Sequence, residues 1–178
     1  MSVVRRVLPA KFFLGLIYNP QVSLWDLERE LQKRFGIIGR KSPVLDFSSF
    51  TDYYAPEMGP RLFRTWWSLF QLQDPADLPE LKLAANALEE KLADQEGGRA
   101  VNIDPGYLNE ARVILASCKD YSHRIYLGRG VYGDLNLICR GEGYQPLRWT
   151  YPDYRCPEAL KYFRSLRDDY RKQLKEER

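Results

Sequence analysis

The sequence predicts an α+β fold: a ferredoxin-like βαββαβ core over residues 11–104, then a C-terminal β-hairpin extension and a packed terminal helix over 105–178. Three observations carry this expectation. The continuous apolar run KFFLGLIY at 11–18 has the length and composition of a central strand. Helical and extended patterns then follow in the order β-α-β-β-α-β up to residue 104. Beyond it, glycine-rich turns separate short extended runs ahead of a last amphipathic helix.

Asn19-Pro20 ends the first strand, and alternation along it puts Leu14 and Leu16 on one face with Phe13, Gly15 and Ile17 on the other. Ser23 caps the first helix, with Asp26 three residues on. Leu24, Leu27, Leu31 and Phe35 share a face, and Gly36 stops the helix. In the aromatic, turn-rich stretch that follows, Val44, Leu45 and Phe47 begin an extended segment that Tyr53-Tyr54 continue. After Gly59-Pro60, RLFRTWWSLFQL reads as a second strand.

Asp74-Pro75 opens the next helix, with proline where its missing N–H costs nothing. Leu78, Leu81, Leu88 and Leu92 form its apolar stripe, Glu89, Glu90 and Lys91 face water, and Gly97-Gly98 ends it. Residues 99–104 form a strand leading into an Asp104-Pro105-Gly106-Tyr107 turn. Residues 109–117 fit either a helix or a strand; a short helical turn followed by a strand is preferred. Residues 123–127 and 131–140 form a hairpin around Gly128-Arg129-Gly130, and Gly141-Glu142-Gly143 turns the chain into 144–149. Tyr151-Pro152-Asp153-Tyr154-Arg155 is a second acidic-aromatic turn. Pro157 opens the terminal helix, which docks through Leu160, Phe163, Tyr170 and Leu174, presents Arg164, Arg167 and Arg171 to solvent, and frays over its last residues.

With 44% hydrophobic and 13% aromatic residues among 178, the chain has the composition of one folded domain spanning 1–178. A net charge of +3 is too slight to mark a nucleic-acid binder by itself. Cys118, Cys139 and Cys156 are odd in number and far apart, which argues against a disulfide framework or zinc site and fits a reduced, cytoplasmic setting. Pro9 and Lys11 interrupt the N-terminal apolar run, so neither a targeting signal nor a membrane span is expected. No G-x-x-x-x-G-K-[ST] or G-x-S-x-G occurs, and the G-x-G-x-x-G match at 128–133 lies in a hairpin rather than between strand and helix.

Three constellations stand out. The first gathers Lys119, Tyr121, His123 (the single histidine), Arg124 and Arg129, flanked by Tyr107, Asp153 and Arg155. Arginine grips phosphates and carboxylates bidentately, and histidine moves protons near neutral pH, which makes His123 the candidate catalytic residue. If 121–126 is extended, Tyr121 and His123 point to one face and Arg124 to the other. The bland alternative is a surface strand with ordinary ion pairs. The second is acidic: Glu57, Asp104 and Asp153 are candidate metal ligands, although caps and turns explain Asp104 and Asp153 equally well. The third is aromatic: Tyr53, Tyr54, Trp149 and Tyr151 are among the rings able to stack on bases, against a default role in the core.

The segments DFSSFTDYYAPEMG, VNIDPGYL, KDYSHRIYLGRGVYGDLNLI and WTYPDYR resemble a bacterial family known as domain of unknown function 4416, over nearly the whole chain. The resemblance implies family membership and brings no activity with it. The residues themselves favour binding of a phosphate-bearing ligand, a nucleotide or single-stranded RNA, through the Lys/His/Arg/Tyr face. The alternatives are a metal-assisted phosphoester hydrolase or transferase, and an adaptor whose same face binds another protein. No cofactor or oligomeric state is assigned from sequence.

Overall fold

The computed structural model describes residues 3–4, 6–93, 98–141 and 143–176. Gly97, Glu142 and residues 177–178, read from sequence as a helix stop, a turn and a frayed end, lie outside the described residues. In chain order the elements are β1 (Ala10–Tyr18), α1 (Leu24–Phe35), β2 (Ile38–Lys41), β3 (Leu45–Asp46), α2 (Ala55–Met58), β4 (Phe63–Gln73), α3 (Leu78–Lys91), β5 (Val101–Leu108), β6 (Arg112–Ser117), β7 (Arg124–Gly128), β8 (Val131–Arg140), β9 (Gly143–Pro146), α4 (Pro152–Arg155) and α5 (Pro157–Glu176). Short 3-10 turns cover Phe47–Ser49 and Pro75–Asp77.

The strands form a large antiparallel sheet in the order β2-β4-β1-β5-β6-β8-β7, with β3 beside β4 and β9 beside β8, nine strands among the described residues. The sheet is larger than the expected four-stranded core, and the strands expected to form a hairpin extension packed on that core belong to the same sheet. Pairing of β6 with β5 carries the sheet straight through into β6–β9. Strand β1 is central, paired to β4 and β5 and buried along its whole length.

The alternation expected for β1 divides two cores. Phe12, Leu14 and Leu16 pack with Leu27 and Leu31 of α1 and Leu78, Ala85 and Leu88 of α3. Phe13 faces the opposite way, into Trp66, Tyr154, Phe163 and Leu166 beneath α5. The mixed α/β architecture thus has helices on both faces of its sheet. The Ser23 cap forms as expected, its Oγ accepting from Asp26 N at 3.3 Å.

Local chemistry accounts for the remaining departures from the sequence reading. The extended run begun at Leu45 stops after Asp46, whose carboxylate accepts from Ser48 N and turns the chain. Residues 47–58 then fold back as a flap, with Phe47 and Met58 packed on Ile17 and Leu62. The Asp104-Pro105-Gly106-Tyr107 sequence is not a turn but part of β5. Pro105, which cannot donate, sits just where the β6 ladder has ended. Gly106 is required by close approach: a Cβ there would lie 2.6 Å from both Ile114 O and the Phe13 ring. No helical turn precedes β6; Asn109 Oδ1 accepts from Ala111 N and Arg112 N and bends the chain directly into the strand. Glu89 and Arg167, expected at solvent-facing positions, are buried. Glu89 accepts from Ile103 N, and Arg167 donates to Glu110 O.

Candidate functional site

Strands β5 and β6 pair only from Gly106↔Leu115 to Leu108↔Val113. Below that point β5 stays on β1 while β6 follows β8, so the sheet splits. A cleft of about 650 Å³ opens there, walled by Asn102 and Asp104 on one side and Leu115, Ala116 and Ser117 on the other. The 47–58 flap, the 117–124 connection and α4 complete it. The volume falls within the roughly 300–1,000 Å³ range of small-molecule sites.

Arg64 of β4 forms the floor. Its side chain is 2% exposed, with the guanidinium 4.7 Å from the Trp66 ring centre and 4.9 Å from that of Tyr154. Gly15 makes this possible, since a Cβ there would lie 2.9 Å from the Tyr154 hydroxyl and 3.2 Å from Arg64 Nη2. Arg64 Nε lies 2.9 Å from Asp153 Oδ2, an ion pair by distance. The N–H is not directed at the carboxylate, however, and among the described residues neither Nε nor Nη1 has a hydrogen-bond acceptor. Burial pushes the Asp153 carboxyl above its usual range, against the opposing pull of Arg64. The Trp66 indole N–H approaches the Tyr154 hydroxyl without closing a hydrogen bond.

One wall is a relay of charges. Lys82, from the buried side of α3, donates to Asp104 Oδ1 at 2.9 Å and to Ile103 O at 3.2 Å. Burial alone would raise the Asp104 carboxyl, but Lys82 and Arg64 hold it below its ordinary value. Asn102 donates to Asp104 Oδ2 and accepts from Arg99, which also binds Glu89 and lies 3.5 Å from Glu57. Tyr54 and Tyr151 are aromatic lining whose hydroxyls burial pushes up, that of Tyr151 to about 12.

The mouth carries a ring stack. His123 lies between Tyr121 (6.2 Å, 13° between planes) and Trp149 (5.3 Å, 22°). His123 Nε2 is 3.4 Å from Asp134 Oδ2, which also accepts from Arg124 Nε at 2.8 Å. Arg124 spends its other donors on Ser117 Oγ, Lys119 O and the Tyr151 hydroxyl. It is a brace that fixes the 117–124 connection against α4. Lys119 Nζ donates to the Tyr53 hydroxyl at 2.7 Å, joining that connection to the 47–58 flap.

Of the sequence-predicted residues, Lys119, Tyr121, His123, Arg124 and Asp153 line this one cleft, as do the candidate metal ligands Glu57 and Asp104. Three do not. Arg129, at the β7–β8 tip with φ 55°, reaches Glu80 of α3. Tyr107 packs on Phe12 in the α1/α3 core. Arg155 binds the carbonyls of Leu147, Arg148 and Thr150. The expected alternation across 121–126 also fails, because β7 starts at Arg124 and His123 precedes it in a turn, so both side chains reach Asp134. Glu57, Asp104 and Asp153 each lie beside a cation, and among the described residues no three His, Cys, Asp or Glu side chains gather closely enough to hold a metal ion.

Sequence reasoning missed Arg64, Lys82 and Arg99. The first two left a signal: Arg64 interrupts an aromatic strand, and Lys82 and Glu89 occupy the helical stripe set by Leu78 and Ala85. Arg99 left none.

The chain is thus a mixed α/β protein with a polar, aromatic-walled cleft at a split in its sheet. It belongs to the family described as Domain of unknown function (DUF4416), which matches residues 8–170. No curated protein and no solved structure matches it. Among the described residues no helix is long and apolar enough to cross a membrane.

Proposed function

We propose that the cleft binds a small ligand bearing a phosphate group, a nucleotide in preference to single-stranded RNA. The observation that carries this reading is Arg64. A guanidinium buried to 2% exposure with Nε and Nη1 left without acceptors is costly, and its positive charge at the floor favours an anion in the cleft. Arginine is the side chain best matched to phosphate geometry. The rings of Tyr54, Tyr121, Trp149 and Tyr151 offer faces on which a base can stack. An RNA strand would need a basic track running out of the cleft, and Arg129 and Arg155 are engaged elsewhere.

Fold-level support comes from the order β2-β4-β1-β5 with α1 and α3 on one face, which fits a split βαββαβ unit of ferredoxin-like type to which β6–β9 were added. The continuous sheet favours a single domain over residues 1–178.

Isothermal calorimetry with nucleotides, on wild type and on Arg64→Met, tests the proposal. Losing one charge-assisted contact should weaken binding by about 1.5–3 kcal/mol, roughly 10- to 150-fold. Breaking the buried Arg64–Asp153 pair costs stability as well, so urea unfolding of Arg64→Met is read beside the calorimetry to separate loss of the site from loss of the fold. Equal affinity in the two proteins would remove Arg64 from the site and the proposal with it.

A further inference from the structure

The cleft's charges restrict what kind of phosphate compound it accepts. Five cations line it: Arg64, Lys82, Arg99, Lys119 and Arg124. Four carboxylates line it too, Glu57, Asp104, Asp134 and Asp153, and Glu89 behind the wall binds Arg99, so five carboxylates balance the five cations, with His123 counted neutral. Each carboxylate is assigned to a cation: Asp153 to Arg64, Asp104 to Lys82, Glu89 and Glu57 to Arg99, and Asp134 to Arg124. The one cation without a carboxylate among the described residues is Lys119, whose partner is the neutral Tyr53 hydroxyl at the exposed rim.

Resting on the reading of this cleft as a phosphate site, we propose that its ligand carries a single phosphate and is a nucleoside monophosphate, not a di- or triphosphate. One phosphate is drawn by the Arg64 guanidinium at the floor, while Lys119 adds an unmatched positive charge at the rim. A second or third phosphate finds cations already matched and runs against Asp104, Glu57 or Asp153. Like charges brought together in a confined site discriminate strongly against the wrong ligand. The nucleoside half is assigned from the mouth, where the stack of Tyr121, His123 and Trp149 lines the same cleft and presents ring faces to a base.

The experiment is calorimetry on the whole chain in EDTA. The probes are the four common ribonucleosides, their 5′-mono-, di- and triphosphates, ribose 5-phosphate and inorganic phosphate. For at least one base the monophosphate should bind tightest, on the order of tenfold better than its nucleoside, as one charge-assisted contact requires. Affinity should fall from mono- to di- to triphosphate. Lys119→Ala, on an exposed side chain that leaves the fold intact, should weaken the monophosphate several-fold and reduce its salt dependence. Trp149→Leu should bring the nucleotide's affinity down toward that of ribose 5-phosphate. Tighter binding of the di- or triphosphate, lost in Arg64→Met, would overturn the single-phosphate inference and leave the phosphate site standing. Ribose 5-phosphate binding as well as every monophosphate would overturn the nucleoside half. Failure of every phosphate-bearing probe to bind would remove the site itself, and this inference with it.

Discussion

Replacing Gly15 with alanine adds one methyl group to the floor of the cleft. Its Cβ would sit 2.9 Å from the Tyr154 hydroxyl, 3.2 Å from Arg64 Nη2 and 3.3 Å from Nη1, where contacts to carbon ordinarily settle at about 3.5–4.0 Å. Neither neighbour is free to swing aside. Tyr154 is 1% exposed and stacks on Phe163 at 5.6 Å, and Arg64 is wedged between the Tyr154 and Trp66 rings. The backbone cannot give way either, since β1 is hydrogen-bonded on both sides. Overpacking of this kind costs about 1–3 kcal/mol, and the 0.5–1 kcal/mol that alanine gains over glycine in a strand offsets roughly a third of it. Gly15→Ala should therefore lower the melting temperature by a few degrees, at about 2–4 °C per kcal/mol for a chain of this length. Nucleotide affinity should fall at the same time, because the guanidinium is displaced. Urea unfolding followed by circular dichroism, together with calorimetry, reads both effects. Gly143→Ala is the control: among the described residues nothing lies within 4 Å of its Cβ, and its effect should stay within about 0.5 kcal/mol. A Gly15→Ala protein as stable as wild type, with unchanged affinity, would refute the packing described for the floor.

Other perturbations have distinct signatures. Lys82→Met strands the Asp104 carboxylate; breaking a buried pair costs about 3–5 kcal/mol, and the lower end applies because Asp104 is 26% exposed to the cleft. Asp104 is held below its ordinary value, so its stabilisation is present above the unfolded value of about 3.9 and is lost as pH falls through the folded one. That acid limb, followed by urea unfolding at a series of pH values, should disappear in the variant. Arg124→Ala should lower the melting temperature even without ligand, since it leaves buried Asp134 without its guanidinium, while Arg129→Ala at the exposed hairpin tip should change it little. Lys11 is buried in β1, which depresses its amine to about 8 against the pull of Asp169. Its contribution to stability is full above the unfolded value of 10.5 and lost as pH falls through about 8, so denaturant midpoints should rise across that window and Lys11→Met should flatten the rise.

Short-range signals in the sequence located most elements, and long-range geometry supplied the rest. The run at 11–18 could only be a central strand, and the Ser23 cap and the Gly128–Gly130 turn fall where their chemistry requires. Asp104-Pro105-Gly106 misled because turn chemistry and strand chemistry share those residues. What decides between them is Phe13 packing on Gly106 and the end of the β6 ladder, and both are tertiary facts. The mouth of the cleft was legible because Lys119, Tyr121, His123 and Arg124 are neighbours in sequence. Of the floor and wall, Asp104 and Asp153 were legible but Gly15, Arg64 and Lys82 were not, because these five residues come from five separate elements. Arg129 and Arg155 joined the expected site through sequence proximity alone, and strand and turn geometry carries them to other partners.

The most direct measurement is of Arg64 itself. Arginine Nε–H resonances can be followed by 15N NMR, with Arg64 assigned through the spectrum of Arg64→Lys. In free protein the Arg64 proton should resonate as a buried donor without an acceptor. Titration with a nucleoside monophosphate should shift it downfield, saturably, in step with the rings of Tyr121 and Trp149. An Arg64 signal that stays fixed while a nucleotide demonstrably binds would contradict the assignment of this cleft as the phosphate site.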